Sequence, residues 1–193
     1  MKEAKPDTYQ KILRAASRCF SEKGFNATSV GDIARAASLS QGAMYVHFRN
    51  KADLIAAIVE TEKDTALEKY TQPFSCGPIA RICELIRSCI NEVGYPADHK
   101  LWVEIIAEAA RNPSVRETFI STDKIMRTGI KSLIEKGVEH GDLAEELDSE
   151  AATLAIFALI DGFISRKAIN PDFNLERDIP GFDALIHHIL MVK

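Results

Sequence analysis

Between residues 151 and 160 the chain reads Ala-Ala-Thr-Leu-Ala-Ile-Phe-Ala-Leu-Ile, a stretch apolar nearly all the way round a helix. A helix without a polar face has to be covered on both sides. Ten residues are about half of what spans a bilayer, so the cover is protein rather than lipid. Either the chain's own helices wrap it, or a symmetric second copy covers the side they leave open, helped by Phe182, Leu185, Ile186 and Ile189 of the last helix. The second copy is the simpler cover in so small a domain. It makes Ala151, Leu154, Ala155, Ala158, Gly162, Leu185, Ile186 and Ile189 the candidate homodimer interface.

The rest of the chain is equally helical in character. Only seven prolines and ten glycines punctuate 193 residues, and Ala, Leu, Glu, Lys and Arg are abundant helix formers. With 46% hydrophobic and 27% charged residues the chain is globular, which excludes disordered, collagen-like and low-complexity readings. Apolar residues recur at helical spacing over 8–23, 29–36, 40–47, Lys51 to just before Gln72, 79–93 (stopped by Gly94 and Pro96) and 98–111. They recur again from Pro113 until the pattern frays at Gly137 and Gly141, from Asp148 to Ile169, and from Gly181 to Met191. About nine helices, with no strand and no internal repeat, give an all-α fold. The densest breaker cluster, residues 71–78, marks the expected junction. The expected organisation is a three-helix domain over 1–50, a connecting helix over 51–72 and a larger helical domain over 73–193.

Cys19, Cys76, Cys83 and Cys89 form no C-x-x-C pair, and no set of Cys and His has the spacing of a zinc site. They read as small buried hydrophobes, with no metal and no cofactor expected. The polar N-terminus has no apolar signal core, which points to a reducing cytoplasm and no membrane partner. The formal charge of −4 conceals a split: residues 1–51 hold nine basic and four acidic groups, which leaves the remainder strongly acidic. A basic N-terminal quarter on an acidic body suggests one part that meets a polyanion and another with a different task.

Within that basic quarter, Ser29-Val-Gly-Asp32 has the form of a capping box. Ser38-Leu39-Ser40-Gln41-Gly42 supplies a turn and a new cap, and two short helices so joined make a helix-turn-helix. Asn50 stands ready to cap the next helix. On the second short helix Met44 and Phe48 lie four apart and turn inward toward Phe20, which leaves Gly42, Tyr45 and Val46 outward. That face suits a major groove. Gly42 lets the backbone approach the duplex, Gln41 can pair with a base edge, most typically adenine, and Tyr45 presents a hydroxyl. His47 and Lys51 offer donors at the height of the phosphates, and Thr28 and Ser29 stand at a helix N-terminus that favours one. The structural alternatives are a packed Tyr45 and a capping or packed His47; Arg14, Arg18 and Arg35 read as solvated charge.

The order Ile12-Leu-x-Ala-Ala-x-x-x-Phe20-x-Glu-x-Gly-Phe25-x-x-Thr28-Ser-Val-x-Asp-Ile-Ala34, then Ser40-Gln-Gly-Ala-Met-Tyr-x-His-Phe-x-Asn-Lys51-x-x-Leu54, resembles the DNA-binding domain of the TetR family of bacterial transcriptional regulators. The C-terminal two thirds is similar mainly in helical pattern, with Trp102-Val-Glu104 to Arg111-Asn-Pro113 similar to a stretch in some members. The resemblance implies DNA contact at Thr28, Gln41, Gly42, Ala43, Tyr45, His47 and Lys51. It also implies a C-terminal domain that dimerises and binds a small-molecule effector, whose arrival releases a palindromic operator. One departure is Ser38, where the family usually has glycine. A left-handed serine would carry strain of about 1 kcal/mol, and an adjusted turn is the expectation.

Candidates to line an effector site are Arg87, Trp102, Ile106, Phe119, Met126 and Phe157; the apolar five also read as ordinary core. Glu104, Glu108 and Arg87 read either as polar contacts to that ligand or as an ion-paired face. A carboxylate-bridged metal enzyme would need Glu-x-x-His on paired helices, and the chain has none, nor any G-x-S-x-G, G-x-G-x-x-G or phosphate-loop pattern. No catalytic residue is assigned. A regulator governed by a protein partner or by cysteine oxidation is the alternative to a small ligand.

Overall fold

Capping side chains decide where most of the helices begin. The structure, a computed structural model, describes residues 7–73, 76–93 and 97–190. α1 (Asp7–Lys23) buries Ile12, Leu13, Ala16 and Phe20 and stops at Gly24, whose φ is +80° and whose N–H donates to Phe20 O at 2.9 Å. α2 (Val30–Ala36) opens on the expected capping box, with Asp32 N donating to Ser29 Oγ and Ser29 N to Asp32 Oδ2, both at 3.1 Å. Ser40 caps α3 (Gln41–Tyr45) by accepting from Ala43 N, and Asn50 caps α4 (Lys51–Thr71) by accepting from Asp53 N. Then follow α5 (Pro78–Asn91), α6 (His99–Arg111), α7 (Pro113–Glu139), α8 (Ser149–Ile169), α9 (Leu175–Asp178) and α10 (Phe182–Ile189).

The described residues thus hold ten helices and no strand, against about nine expected. The additional one is α9, four residues held by an Asn174 cap and too short to leave a periodic stripe. α7 does not fray at Gly137. A Cβ there would lie 2.8 Å from Leu143 Cδ1, so this glycine makes room for the returning chain while Gly141, with φ +78°, takes the stop. Ser38 does not escape its strain through an adjusted turn either: its φ is +56°, with Leu39 N donating to Ala34 O at 2.9 Å behind it. Phe74 and Ser75 in the expected junction, the expected stop at Gly94 and Pro96, and Met191 lie outside the described residues.

The described residues of Met1–Glu62 and Tyr95–Thr122 form one compact unit, and those of Lys63–Gly94 and Asp123–Lys193 a second. The units are interleaved in sequence, where the expectation divided the chain at residues 50 and 72. In the first, α1 packs on α2 and α6, and α2 on α3, around Ile12, Phe20, Ile33, Met44 and Leu54. Carboxylates tie α6 to the N-terminal helices: Asp98 accepts from Ser21 Oγ at 2.7 Å, and Glu104 accepts from Phe25 N at 2.6 Å. Glu104 is therefore a structural acceptor. In the second unit α5, α8 and α10 pack together around Ile82, Ile86, Ile156 and Phe182. α8 turns Ala152, Thr153, Ile156, Ile160 and Ile164 inward and leaves Ala151, Leu154, Ala155, Ala158 and Gly162 exposed.

Candidate nucleic-acid interface

α3 is one and a half turns long, so its two faces differ sharply. Met44 is 1% exposed and Phe48 is buried, while Tyr45 is 54% and Val46 79% exposed. Outward display of two large side chains is what a reading helix needs and what a core helix avoids. The ring that meets Phe48 is Tyr9, with centroids 4.9 Å apart, while Phe20 pairs with Phe25 at 5.4 Å. Tyr9 carries no motif of its own and sequence reasoning missed it. His47 is half-buried with its ring 6.3 Å edge-on from Tyr9, so it packs at the rim of the face.

Gln41 and Gly42 occupy the leading turn of α3 and both are exposed. No hydrogen bond or ion pair among the described residues engages the Gln41 amide or the Tyr45 hydroxyl. The Gln41 amide leans on α2: a Cβ built on Gly31 would sit 2.8 Å from Gln41 Nε2. Gly31 is a second residue that sequence reasoning missed, although its place inside the Ser29–Asp32 box is a signal. Ala43 is half-buried, and its N–H donates to the Ser40 cap.

Three of the expected phosphate contacts have other partners. Thr28 is 1% exposed, and its hydroxyl has Gly24 O at 2.8 Å and Cys19 O at 3.0 Å as acceptors for its single hydrogen. Lys51 Nζ donates to Phe25 O at 2.6 Å and Thr28 O at 2.8 Å, with Asn26 O at 3.5 Å, and lies 4.5 Å over the Phe25 ring. Both side chains therefore tie the α1–α2 corner together. The hydroxyl and N–H of Ser29 both donate to Asp32 Oδ2. The Ser29 bonds, with Lys23 at 3.5 Å, hold the Asp32 carboxyl down at about 2. A fixed negative charge at the start of α2 opposes a phosphate there.

The other candidates divide in the same way. Arg87 reaches Asp183 at 2.8 Å and Glu176 at 3.3 Å, so its charge is met inside the second unit. Trp102 and Met126 are buried, as core side chains are; Ile106, Phe119 and Phe157 are half-buried. Glu108 is 5% exposed and accepts from Asn112 and Arg111, so it is a satisfied buried carboxylate. Ile186 is fully buried and Ile189 half-buried, because this side of α10 faces its own core; Leu185 is the exposed apolar residue of that set. Burial, with Asp183 beside it, pushes the Cys83 thiol up to about 11, and burial also raises Cys19. Such thiols are poor targets for oxidation, whereas Cys76 is exposed and Cys89 half-buried, so only two of the four cysteines are the buried hydrophobes expected.

A helix-turn-helix that displays Gln41, Gly42, Tyr45 and Val46 on a uniformly exposed, uncommitted face defines a DNA-binding regulator. Comparison with known proteins agrees. Residues 12–58 match the family profile described as "Bacterial regulatory proteins, tetR family", and residues 78–190 that described as "BetI-type transcriptional repressor, C-terminal". The chain belongs to the TetR family of bacterial transcriptional regulators and is not an enzyme. It is 30% identical to the HTH-type transcriptional regulator TtgR of Pseudomonas putida over 183 residues, 89% of this chain and 85% of that protein. Among solved structures it is similar to Salmonella enterica GusR, with 28% identity, 98% of this chain and 99% of that one covered, and a TM-score of 0.83. It shares the fold of AibR, solved in complex with isovaleryl coenzyme A and operator DNA, at 19% identity, 97% and 100% coverage and a TM-score of 0.73. No helix among the described residues is long and apolar enough to cross a membrane.

Proposed function

We propose that the chain is a homodimeric repressor that reads a palindromic operator with α3 of each protomer and leaves it when a small-molecule effector binds the C-terminal helices. Two glycines carry this reading. A glycine inside a helix costs about 1 kcal/mol relative to alanine, so it calls for a reason. For Gly31, Gly129 and Gly137 the reason is internal: a Cβ would come within 2.8 Å of Gln41 Nε2, 2.6 Å of Tyr70 Cδ2 and 2.8 Å of Leu143 Cδ1 respectively. At Gly42 a Cβ would meet only Ser40 Oγ, at 3.8 Å, and at Gly162 nothing within 4 Å. Both are exposed, so the reason lies outside the chain: a duplex at Gly42, a second copy at Gly162.

Gly162 continues the exposed stripe of Ala151, Leu154, Ala155 and Ala158, and Leu185 adds to it from α10. Small side chains let two helices approach closely. Within the DNA-facing set, Gln41, Gly42 and Tyr45 read the groove with Ala43 and His47 at its margin, while Thr28, Ser29 and Lys51 brace the unit that presents them. Two such heads about 34 to 36 Å apart read half-sites one turn apart. The effector acts by binding the DNA-compatible and incompatible arrangements unequally. AibR, crystallised in complex with isovaleryl coenzyme A and operator DNA, is a precedent for a small molecule bound on this fold.

The test is selection of bound fragments from genomic DNA with the purified full chain, alongside sedimentation. One enriched inverted repeat and the mass of two chains are expected. No enriched sequence, or the mass of a single chain, contradicts the proposal.

A further inference from the structure

Beside the reading face lies a cationic surface that the proposed docking does not use. Lys11, Arg14 and Arg18 leave α1 at positions i, i+3 and i+7 and, with Ala15, Ser38 and Leu39, line a groove of about 430 Å³. The three cations span about 10 Å of helix at 1.5 Å per residue, which is the rise of about three phosphate-to-phosphate steps along one strand of a duplex. Asp7 meets Lys11 at 2.9 Å and reaches Arg14 at 3.9 Å, whereas Arg18 has no carboxylate partner among the described residues.

The opposite wall supplies an independent observation. Ser38 is the single non-glycine among the described residues with a left-handed backbone, at φ +56°. Its side chain is exposed, and its hydroxyl engages nothing among the described residues. A glycine would relieve the strain at once, and no internal hydrogen bond compensates for keeping a serine. Backbone strain held at an exposed turn without an internal partner calls for an external one. Leu39, on the wall of the groove, stands two residues before Gln41, the first residue of α3.

We infer that this groove holds the sugar–phosphate backbone of the operator strand beside the furrow that α3 reads, with Arg14, Arg18 and the Ser38 hydroxyl donating to successive phosphates. Lys11 exchanges Asp7 for phosphate when the strand arrives. The inference rests on the DNA-binding reading and extends it to a second line of contact, one that carries affinity and salt dependence but no sequence information. It also gives Ser38 a task that glycine lacks.

The experiment uses the full chain and a fluorescein-labelled duplex of about 40 base pairs and random sequence, titrated between about 50 and about 200 mM KCl. Replacing both arginines, Arg14→Gln with Arg18→Gln, is expected to flatten the slope of log K against log salt by about 1.8, or about 0.9 per phosphate lost. Lys100→Gln, an exposed cation on α6, is expected to leave the slope unchanged. Ser38→Gly is expected to melt no lower than the wild type yet to bind about tenfold more weakly, the loss of one charge-assisted hydrogen bond. A double variant with the wild-type slope, or a Ser38→Gly variant that binds as tightly as the wild type, overturns the inference. If Tyr45→Ala weakens binding in the same series, the failure is the groove's alone. A wild-type chain that binds no duplex refutes the DNA-binding reading with it.

Discussion

Replacing Lys51 by methionine keeps the aliphatic stem and removes only the ammonium group. That group donates to Phe25 O at 2.6 Å and Thr28 O at 2.8 Å and lies 4.5 Å above the Phe25 ring. A hydrogen bond to a charged group contributes about 1.5 to 3 kcal/mol where water is excluded. The half-buried position of Lys51 lowers that to about 1 kcal/mol each. The ring contact adds about 0.5 to 1 kcal/mol, so the loss comes to about 2 to 3 kcal/mol. For a chain of this size that lowers the melting temperature by roughly 5 to 12 °C. The assay is thermal unfolding at neutral pH followed by circular dichroism, paired with the salt dependence of duplex binding. A clamp predicts a lower melting temperature with an unchanged salt slope. A variant that melts with the wild type and loses about 0.9 from the slope would show that Lys51 serves phosphate instead, and would refute the argument.

Three further outcomes follow from the same geometry. Gly31→Ala is expected to melt no lower than the wild type, since alanine favours the helix by about 1 kcal/mol, yet to bind operator more weakly because the new Cβ displaces the Gln41 amide from 2.8 Å away; equal affinity would remove Gln41 from the reading face. Ala158→Glu places a carboxylate in the exposed stripe of α8 and is expected to give single chains or aggregates by sedimentation, and an undisturbed two-chain species would move the interface elsewhere. Asp32, held down at about 2, lends stability that is fully present above its unfolded value of 3.8 and lost as pH falls through about 2. The gap in melting temperature between wild type and Asp32→Asn should therefore close as pH approaches that value, and a gap independent of pH would contradict the capping role.

What was legible in the sequence was local. Ser29, Ser40 and Asn50 each satisfy an N–H group three residues on, so spacing alone identified them as caps, and apolar periodicity traced nine of the ten helices. The outward set on α3 followed from the same arithmetic. What escaped depends on partners far apart in the chain. Glu104 accepts from Phe25 N across 79 residues, and Lys51 reaches Phe25 O across 26, so neither role has a local signature. Thr28 and Lys51 stand in register for DNA contact, and only the folded corner reveals the carbonyls beside them. On α10, Leu185 and Ile186 are adjacent and equally apolar, yet one is 38% exposed and the other fully buried. A stripe limits a face to about a third of the helix circumference and leaves its edges undecided.

The central claim is that the outward face of α3 meets DNA, and Gly42 is where that claim can be isolated from stability. A leucine at this position has only Ser40 Oγ near its Cβ, at 3.8 Å, so Gly42→Leu is expected to melt at or above the wild-type temperature. Measured by fluorescence anisotropy against the duplex that the wild type selects, the account predicts that this folded variant no longer binds. A Gly42→Leu chain that melts normally and binds that duplex with wild-type affinity would contradict it.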